Sequence, residues 1–81
     1  MSKPDPEKLV SFIVQSILGD SGKFKIKKTE EDNLLNLEIS VPKEDIGKIV
    51  GRQGSTIWAI RRLAGIAGTV LGKKVLVQLV E

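Results

Sequence analysis

A short stretch around two glycines holds the residues with the clearest chemical potential in this chain. Gly51 and Gly54 bracket Arg52 and Gln53, with apolar residues on both sides. Because glycine has no side chain, a ligand can approach the main chain closely there. Arg52 adds a charged, forked donor that suits phosphate, and the amides that open the following helix favour a negative group. The stretch therefore predicts a phosphate-binding loop between two helices.

Residues before this loop extend the predicted contact surface. Lys48 adds a second cation, and the amide of Gln53 can donate or accept a hydrogen bond. Gly47 lies one helical turn before Gly51, although a glycine inside a short helix costs about 1 kcal/mol relative to alanine. Two explanations for Gly47 stay open. Either a base or ribose approaches the helix closely, or another part of the protein packs against it.

The spacing of the glycines argues against other phosphate-binding motifs. The segment lacks the lysine of a Walker A loop, and Ile49 occupies the place where a Rossmann fingerprint needs glycine. A DNA-binding helix-turn-helix remains open because two helices flank a glycine turn. Its reading helix would present Trp58, Arg61 and Arg62, with no asparagine or glutamine to read adenine.

Composition limits the function classes. The 81 residues suit one domain, predicted to span residues 1–81 with residues 1–4 as a disordered tail, and the net charge of +3 permits nucleic-acid binding without predicting it. The absence of cysteine and histidine argues against disulfides, thiolate chemistry and most metal sites. No apolar run could span a bilayer, and the N-terminus lacks a signal-peptide core. We expect a cytoplasmic non-enzyme with no cofactor, metal, small-molecule substrate or membrane partner.

Apolar periodicity divides the first half of the chain into a helix and a strand pair. Asp5 is expected to cap a helix whose apolar residues recur at helical spacing to about Leu18. Two alternating segments, residues 23–27 and 35–41, predict half-buried strands. The short polar turn at residues 30–33 between them predicts an antiparallel hairpin.

The second half predicts two helices around the loop and a final strand. Pro42 opens a short helix, Ser55 is expected to cap a longer helix to about Leu71 with Gly72 as its C-cap, and residues 74–80 alternate as a strand. The helices connect the second strand to the third, so these strands should be parallel neighbours with a right-handed connection. The predicted fold is a two-layer α/β sandwich, with a three-stranded mixed sheet and all three helices on one face.

Residues 49–57 resemble the KH-domain signature, which consists of an apolar pair, Gly-x-x-Gly, two residues and isoleucine. The element order, helix-strand-strand-helix-helix-strand, is similar to the type II form of that fold found in bacteria. Over essentially its whole length, the chain resembles the small stand-alone KH proteins of the KhpA (YlqC) family. The resemblance implies a cytoplasmic RNA-binding protein that self-associates and pairs with a larger KH-containing protein of the Jag type.

The resemblance also implies which residues bind RNA. In KH domains the glycine loop clamps the backbone of about four single-stranded nucleotides, and the bases lie in an apolar groove between the helices and the sheet. Carried over to this sequence, the loop residues that bind RNA are Gly51, Arg52, Gln53 and Gly54. Lys48 and Ser55 are expected to bind beside the loop. The expected groove wall is Ile46, Gly47, Val50 and Ile57. The expected role is a post-transcriptional regulator or RNA chaperone, acting as a homodimer or with a second KH protein.

The long helix predicts a second surface around the single tryptophan. A helical wheel places six residues on the core face: Ile57, Ile60, Leu63, Ala64, Ala67 and Leu71. Ala59, Ile66 and Val70 are expected to widen this apolar stripe on one flank. The opposite side carries Arg61, Arg62, Gly65, Gly68 and Thr69. Trp58 lies among this opposite group. It could be merely semi-exposed, contact a protein or stack on bases.

We favour protein contact at this surface because Gly65 and Gly68 on the same face would let another helix approach closely. The candidate dimer interface is Trp58, Arg61, Arg62 and Gly65. The alternative function is a protein-interaction module that retains the KH fold and uses this face.

Overall fold

The computed structural model describes residues 3–20 and 22–80. Within them lie three α-helices: α1 Pro6–Leu18, α2 Ile46–Val50 and α3 Ser55–Val70. The three strands are β1 Lys25–Glu31, β2 Leu34–Ser40 and β3 Lys74–Val80. Two 3₁₀ turns cover Lys43–Asp45 and Arg52–Gly54. This order confirms the predicted fold. Of the predicted tail, Lys3 and Pro4 have no regular secondary structure, whereas Met1 and Ser2 lie outside the described residues.

The sheet has β2 at its centre, paired antiparallel with β1 and parallel with β3. The parallel register sets Leu37 opposite Val77, and α2 and α3 form the connection between these two strands. Alternate residues of β2 (Leu35, Leu37 and Ile39) are buried under the helices. The predicted mixed sheet and crossover are therefore confirmed.

The core lies between the sheet and the three helices. It is formed by apolar residues from every helix and from β2 and β3: Val10, Val14, Leu18, Leu35, Leu37, Ile39, Val41, Ile49, Ile57, Ile60, Ala64 and Val77. Each fully buried leucine or isoleucine contributes about 1.5–3 kcal/mol. Ile49 is completely buried. It therefore anchors α2, and with it the start of the glycine loop, to this core.

The first hairpin is longer than predicted. β1 covers Lys25–Glu31 instead of residues 23–27, because a two-residue turn at Asp32 and Asn33 lets Glu30 and Glu31 pair with β2. Asp32 takes a φ of 53°, which aspartate tolerates better than most residues. Periodicity missed the second half of β1 since residues 27–31 carry no apolar side chain.

The predicted core face of α3 is wrong at four positions. Two of them are Ile66 and Val70, which are expected to widen the apolar stripe but are exposed in the structure. Leu63 is 45% exposed rather than buried, whereas Gly68, expected on the polar side, is buried. A Cβ on Gly68 would lie 2.5 Å from Val75 Cγ2. The missing side chain therefore lets α3 pack closely on β3, and this contact turns Gly68 inward and Leu63 outward.

The expected N-cap of α1 is confirmed, whereas the end of α3 is displaced by one residue: Leu71 is the C-cap and Gly72 follows it. Asp5 Oδ1 accepts hydrogen bonds from the amides of Glu7 (3.0 Å) and Lys8 (3.2 Å). After α3, the Lys73 amide donates to Gly68 O at 2.8 Å around Gly72, whose φ is 72°. This Schellman-type ending directs the chain from α3 into β3.

Candidate nucleic-acid interface

The glycine loop, formed by Gly51, Arg52, Gln53 and Gly54, takes its shape from three residues with positive φ. Gly51 has φ 78°, Gln53 55° and Gly54 77°. Glycine enters this region without the steric penalty that other residues meet. The Gly51 amide still bonds Gly47 O at 2.9 Å, and the Gly54 amide bonds Gly51 O at 3.2 Å. The loop is therefore a tight, hydrogen-bonded link between α2 and α3.

The two glycines of the loop have different reasons to be glycine. A Cβ on Gly51 would lie 2.1 Å from Thr56 Oγ1, so both its conformation and its surroundings exclude a side chain. Gly54 has no neighbouring atom within 4 Å of an added Cβ, and only its φ favours glycine. The surface above Gly54 is thus open to a ligand, whereas the Thr56 side chain occupies the space where a side chain on Gly51 would lie.

Ser55 does not have the predicted role of N-cap. Gly54 occupies the cap position, and Ser55 is the first residue of α3, with helical φ and ψ of −66° and −35°. The 3₁₀ turn runs directly into the helix, which moves the cap one residue earlier. No side chain caps the first turn of α3 in the described structure. The positive end of the helix is therefore turned towards the open side of the loop without a carboxylate to neutralise it.

The charged and polar side chains at the loop are exposed. Arg52 and Gln53 are both exposed, and Arg52 forms no ion pair within 4.0 Å with any described carboxylate. Lys48 is also exposed, but it lies 3.3 Å from Asp45. Arg52 is thus the loop cation that is free to bind an anion, while Lys48 is shared with Asp45.

Gly47 is exposed on α2, and no described atom lies within 4 Å of a Cβ added there. The explanation that another part of the protein packs against Gly47 is therefore wrong for the described residues. Its φ is not in the left-handed region either, so no backbone conformation requires glycine. The close approach of a base or ribose stays a prediction.

The predicted groove wall is only partly accessible. Ile46 and Val50 are half-buried and pack against the core cluster. Ile57 is 8% exposed and belongs to the core itself. Of the four predicted wall residues, Gly47 is the exposed one. Bases beside the loop would therefore meet Gly47 and the edges of Ile46 and Val50, with Ile57 beneath.

The candidate dimer interface divides into two parts. Trp58 is 61% exposed, and Arg62 Cζ lies 5.3 Å from the centre of its ring, a cation–π distance. Arg61 instead turns to β3, where its Nε donates to Val77 O at 3.2 Å. Gly65 has no described atom within 4 Å of an added Cβ. A glycine in a helix interior costs about 1 kcal/mol relative to alanine. No contact within the described chain explains why residue 65 is glycine despite this cost.

An exposed apolar patch on α3 was not identified from the sequence. Leu63, Ile66 and Val70 are 45%, 57% and 68% exposed, and they follow one another at helical spacing. We call these three residues the α3 apolar patch. The sequence does indicate this patch, because apolar residues occur on nearly every side of α3. A helix of that kind needs to bury more than one face.

The charges are divided unequally along the chain. Residues 46–80 contain six of the thirteen lysines and arginines and none of the ten aspartates and glutamates. At the far end of α3, Lys73 Nζ hydrogen-bonds Glu30, which lowers the pKa of the Glu30 carboxyl. The half of the chain that carries the glycine loop is therefore positive, a feature that the net charge of +3 conceals.

The residues that the structure describes contain no group of three or more aspartate, glutamate, histidine or cysteine side chains arranged to hold a metal ion. None of their helices combines the length and apolar character needed to cross a membrane.

Comparison with known proteins identifies the family. The model for the KH domain of KhpA/KhpB matches residues 7–79. RNA-binding protein KhpA of Listeria monocytogenes serovar 1/2a is 33% identical over 75 residues, which cover 93% of this chain and 99% of the relative. RNA-binding protein KhpA of Bacillus subtilis is 36% identical over 69 residues, 85% of each chain. RNA-binding protein KhpA of Borreliella burgdorferi is 32% identical over 73 residues, 90% of this chain and 89% of the relative.

No solved structure gives a significant match. The family model nevertheless spans most of the chain, and the relatives match over most of both lengths. The chain therefore belongs to the KhpA/KhpB family of KH-domain proteins.

Proposed function

We propose that this protein binds single-stranded RNA, without catalysis, by gripping the sugar–phosphate backbone at the glycine loop. The observation that carries the proposal is the exposed Arg52 at a loop whose Gly54 leaves the main chain open. The names of the relatives, all RNA-binding proteins, support the same substrate class. We propose further that it acts in the cytoplasm as a post-transcriptional regulator or RNA chaperone.

The proposed grip uses each loop residue differently. A phosphate sits above Gly54, where the positive end of α3 and the Arg52 guanidinium both attract it. Gln53 supplies a neutral hydrogen bond beside it. On the other side of the loop, Gly47 leaves room for a ribose or base against α2. Each phosphate contact contributes a salt-dependent term, about 0.7 in the slope of log K against log salt.

The proposal is tested by reversing the loop's charge in the double variant Arg52→Asp with Gln53→Asp. Aspartate tolerates the left-handed conformation of residue 53, so the fold should persist. Anisotropy of a labelled single-stranded RNA at low salt should show an affinity at least about tenfold lower, because one cation is replaced by two anions.

A matched control carries Lys8→Asp with Gln15→Asp, which makes a similar change on exposed positions of α1. This control should retain affinity within about twofold, whereas general electrostatics alone would weaken both variants equally. Unchanged RNA binding by a folded loop variant would overturn the loop as the binding site.

A second proposed function, protein association, rests on the α3 apolar patch. Single exposed apolar residues are ordinary, but three neighbours on one helix beside Trp58 suggest a covered surface. We propose pairing through this side of α3, either between two copies or with a larger KH-containing protein of the Jag type. Pairing would raise RNA affinity by joining two weak sites at high effective concentration.

Sedimentation tests the association. Ile66→Ser and Val70→Ser should each reduce the mass of a dimer towards that of a monomer, because both remove an exposed apolar side chain of the α3 apolar patch. Phe12→Ser serves as the control because Phe12 is 71% exposed, at least as much as the α3 residues, but lies on α1. A mass that stays the same in both α3 variants would exclude this face as the interface.

A further inference from the structure

A groove with a volume of about 630 Å³ runs beside the C-terminal half of α3. Its cationic and polar lining comes from Arg62 and Thr69 of α3, from Lys73 and from Lys74 at the start of β3. Its apolar lining comes from Ile66 and Val75, and Gly65 also lines it. We call it the α3 groove. It lies away from the glycine loop, and none of the residues assigned to RNA binding above lines it.

The charge of the α3 groove is positive. Three of its lining residues are cations, and none of those described is acidic. Lys73 is partly neutralised because its Nζ bonds Glu30. Arg62 and Lys74 are exposed and form no ion pair with a carboxylate of residues 3–20 or 22–80. A polyanion is therefore the occupant that the charges favour.

The floor of the α3 groove is unobstructed main chain. Gly65 leaves open space where any other residue would place a Cβ. Its carbonyl oxygen, which would otherwise repel a phosphate, already accepts a hydrogen bond from Thr69 Oγ1 at 3.0 Å. A backbone-sized ligand can thus lie close to the helix at Gly65, where it meets neither a side chain nor a free acceptor, with Ile66 and Val75 as the apolar walls beside it.

Trp58 connects the α3 groove to the glycine loop. It follows the loop by one helical turn, and Arg62, Gly65 and Thr69 follow it at spacings of four, three and four residues, which places them on one side of α3. At about 1.5 Å per residue, this line is about 16 Å long. The exposed ring of Trp58 offers a surface on which a base can stack.

We propose that single-stranded RNA held at the glycine loop continues along α3, with one base stacked on Trp58 and phosphates at Arg62 and Lys74. This inference rests on the proposed function and adds a second RNA subsite to it. The subsite lengthens the bound segment beyond the nucleotides at the loop and sets the direction in which the strand leaves.

The single tryptophan makes this proposal directly measurable. The chain has one tryptophan and no tyrosine, so its emission reports on Trp58. An RNA of about four nucleotides, the length that a KH loop clamps, should bind without changing that emission. An RNA of about ten nucleotides, within the range of single-strand binding sites, should quench it and bind at least about tenfold more tightly.

The variant Arg62→Gln with Lys74→Gln tests the charges of the subsite. Its affinity for the short RNA should stay within about twofold, whereas its affinity for the long RNA should fall about tenfold. The salt dependence for the long RNA should decrease by about 0.7 per phosphate contact removed. Lys25→Gln with Lys27→Gln, on exposed positions of β1, is the matched control and should leave both RNAs unaffected.

The outcomes separate this inference from the proposed function. If wild-type protein binds the short RNA but gains neither affinity nor quenching with the long one, the α3 subsite is wrong and the loop stands. If it binds neither RNA, both are wrong. If the Arg62 and Lys74 variant changes the sedimenting mass while long-RNA binding and its salt dependence stay the same, the α3 groove is a protein interface and the inference is overturned.

Discussion

The glycine loop and the outward side of α3 differ in how far the chain itself explains their residues. At the loop, Gly51 and Gly54 are required by the path of the main chain. Along α3, Gly65 and the α3 apolar patch stabilise nothing that the described residues show. A residue can therefore be assigned a structural role only where its backbone conformation or a close contact requires that residue type. Residues without such a requirement are candidates for binding.

The largest expected effect on stability is at the loop, where alanine at Gly51 and alanine at Gly54 should destabilise the fold by unequal amounts. Gly51→Ala should destabilise the protein by about 3 kcal/mol or more, since it combines a disallowed conformation with overlap at Thr56. Gly54→Ala should cost only about 1–2 kcal/mol, because conformation alone opposes it. Urea unfolding measures both changes. Equal costs would show that Thr56 does not hold the loop as described.

A smaller contrast is expected between two glycines of α3. Gly68→Ala should destabilise the fold by about 1–2 kcal/mol, because overpacking against Val75 outweighs the gain in helix propensity. Gly65→Ala should stabilise it by up to about 1 kcal/mol, since the new methyl group enters open space. The midpoints of thermal unfolding should therefore move in opposite directions. Destabilisation by Gly65→Ala would place Gly65 with the structural glycines and remove the reason to call it unexplained.

Local chemistry explains why the sequence predicts the loop region well. The glycine spacing, the apolar pair before it and the crossover between parallel strands are all set within a short segment, so the fold and the position of the loop could be predicted. Ser55 shows the limit of that reasoning. A serine before an apolar run resembles an N-cap, and only the 3₁₀ turn reveals that Gly54 takes the place.

Long-range packing explains what the sequence does not predict. The orientation of α3 depends on how closely Gly68 approaches β3, and a helical wheel contains no information about that contact. The wheel therefore places Leu63 in the core, where the structure exposes it. It groups Arg61 with Trp58, with which Arg61 does line a shallow pocket, but it gives no sign that Arg61 also bonds Val77 of β3. β1 was likewise shortened because its second half is held by pairing with β2 rather than by apolar residues.

A small gain in stability, combined with a several-fold loss of RNA affinity, is expected at Gly47. Gly47→Ala adds a methyl group in open space and should stabilise α2 by up to about 1 kcal/mol. If a ribose or base lies against α2, the same methyl group should weaken binding of a short single-stranded RNA several-fold. Unfolding and anisotropy on one preparation test both expectations, with the exposed Ser16→Ala of α1 as the control for a helix-favouring change. Greater stability with unchanged RNA affinity would remove Gly47 from the interface and leave the grip to the loop alone. Greater stability with weaker binding would show that the chain retains this glycine for its ligand, because neither its conformation nor its contacts require one.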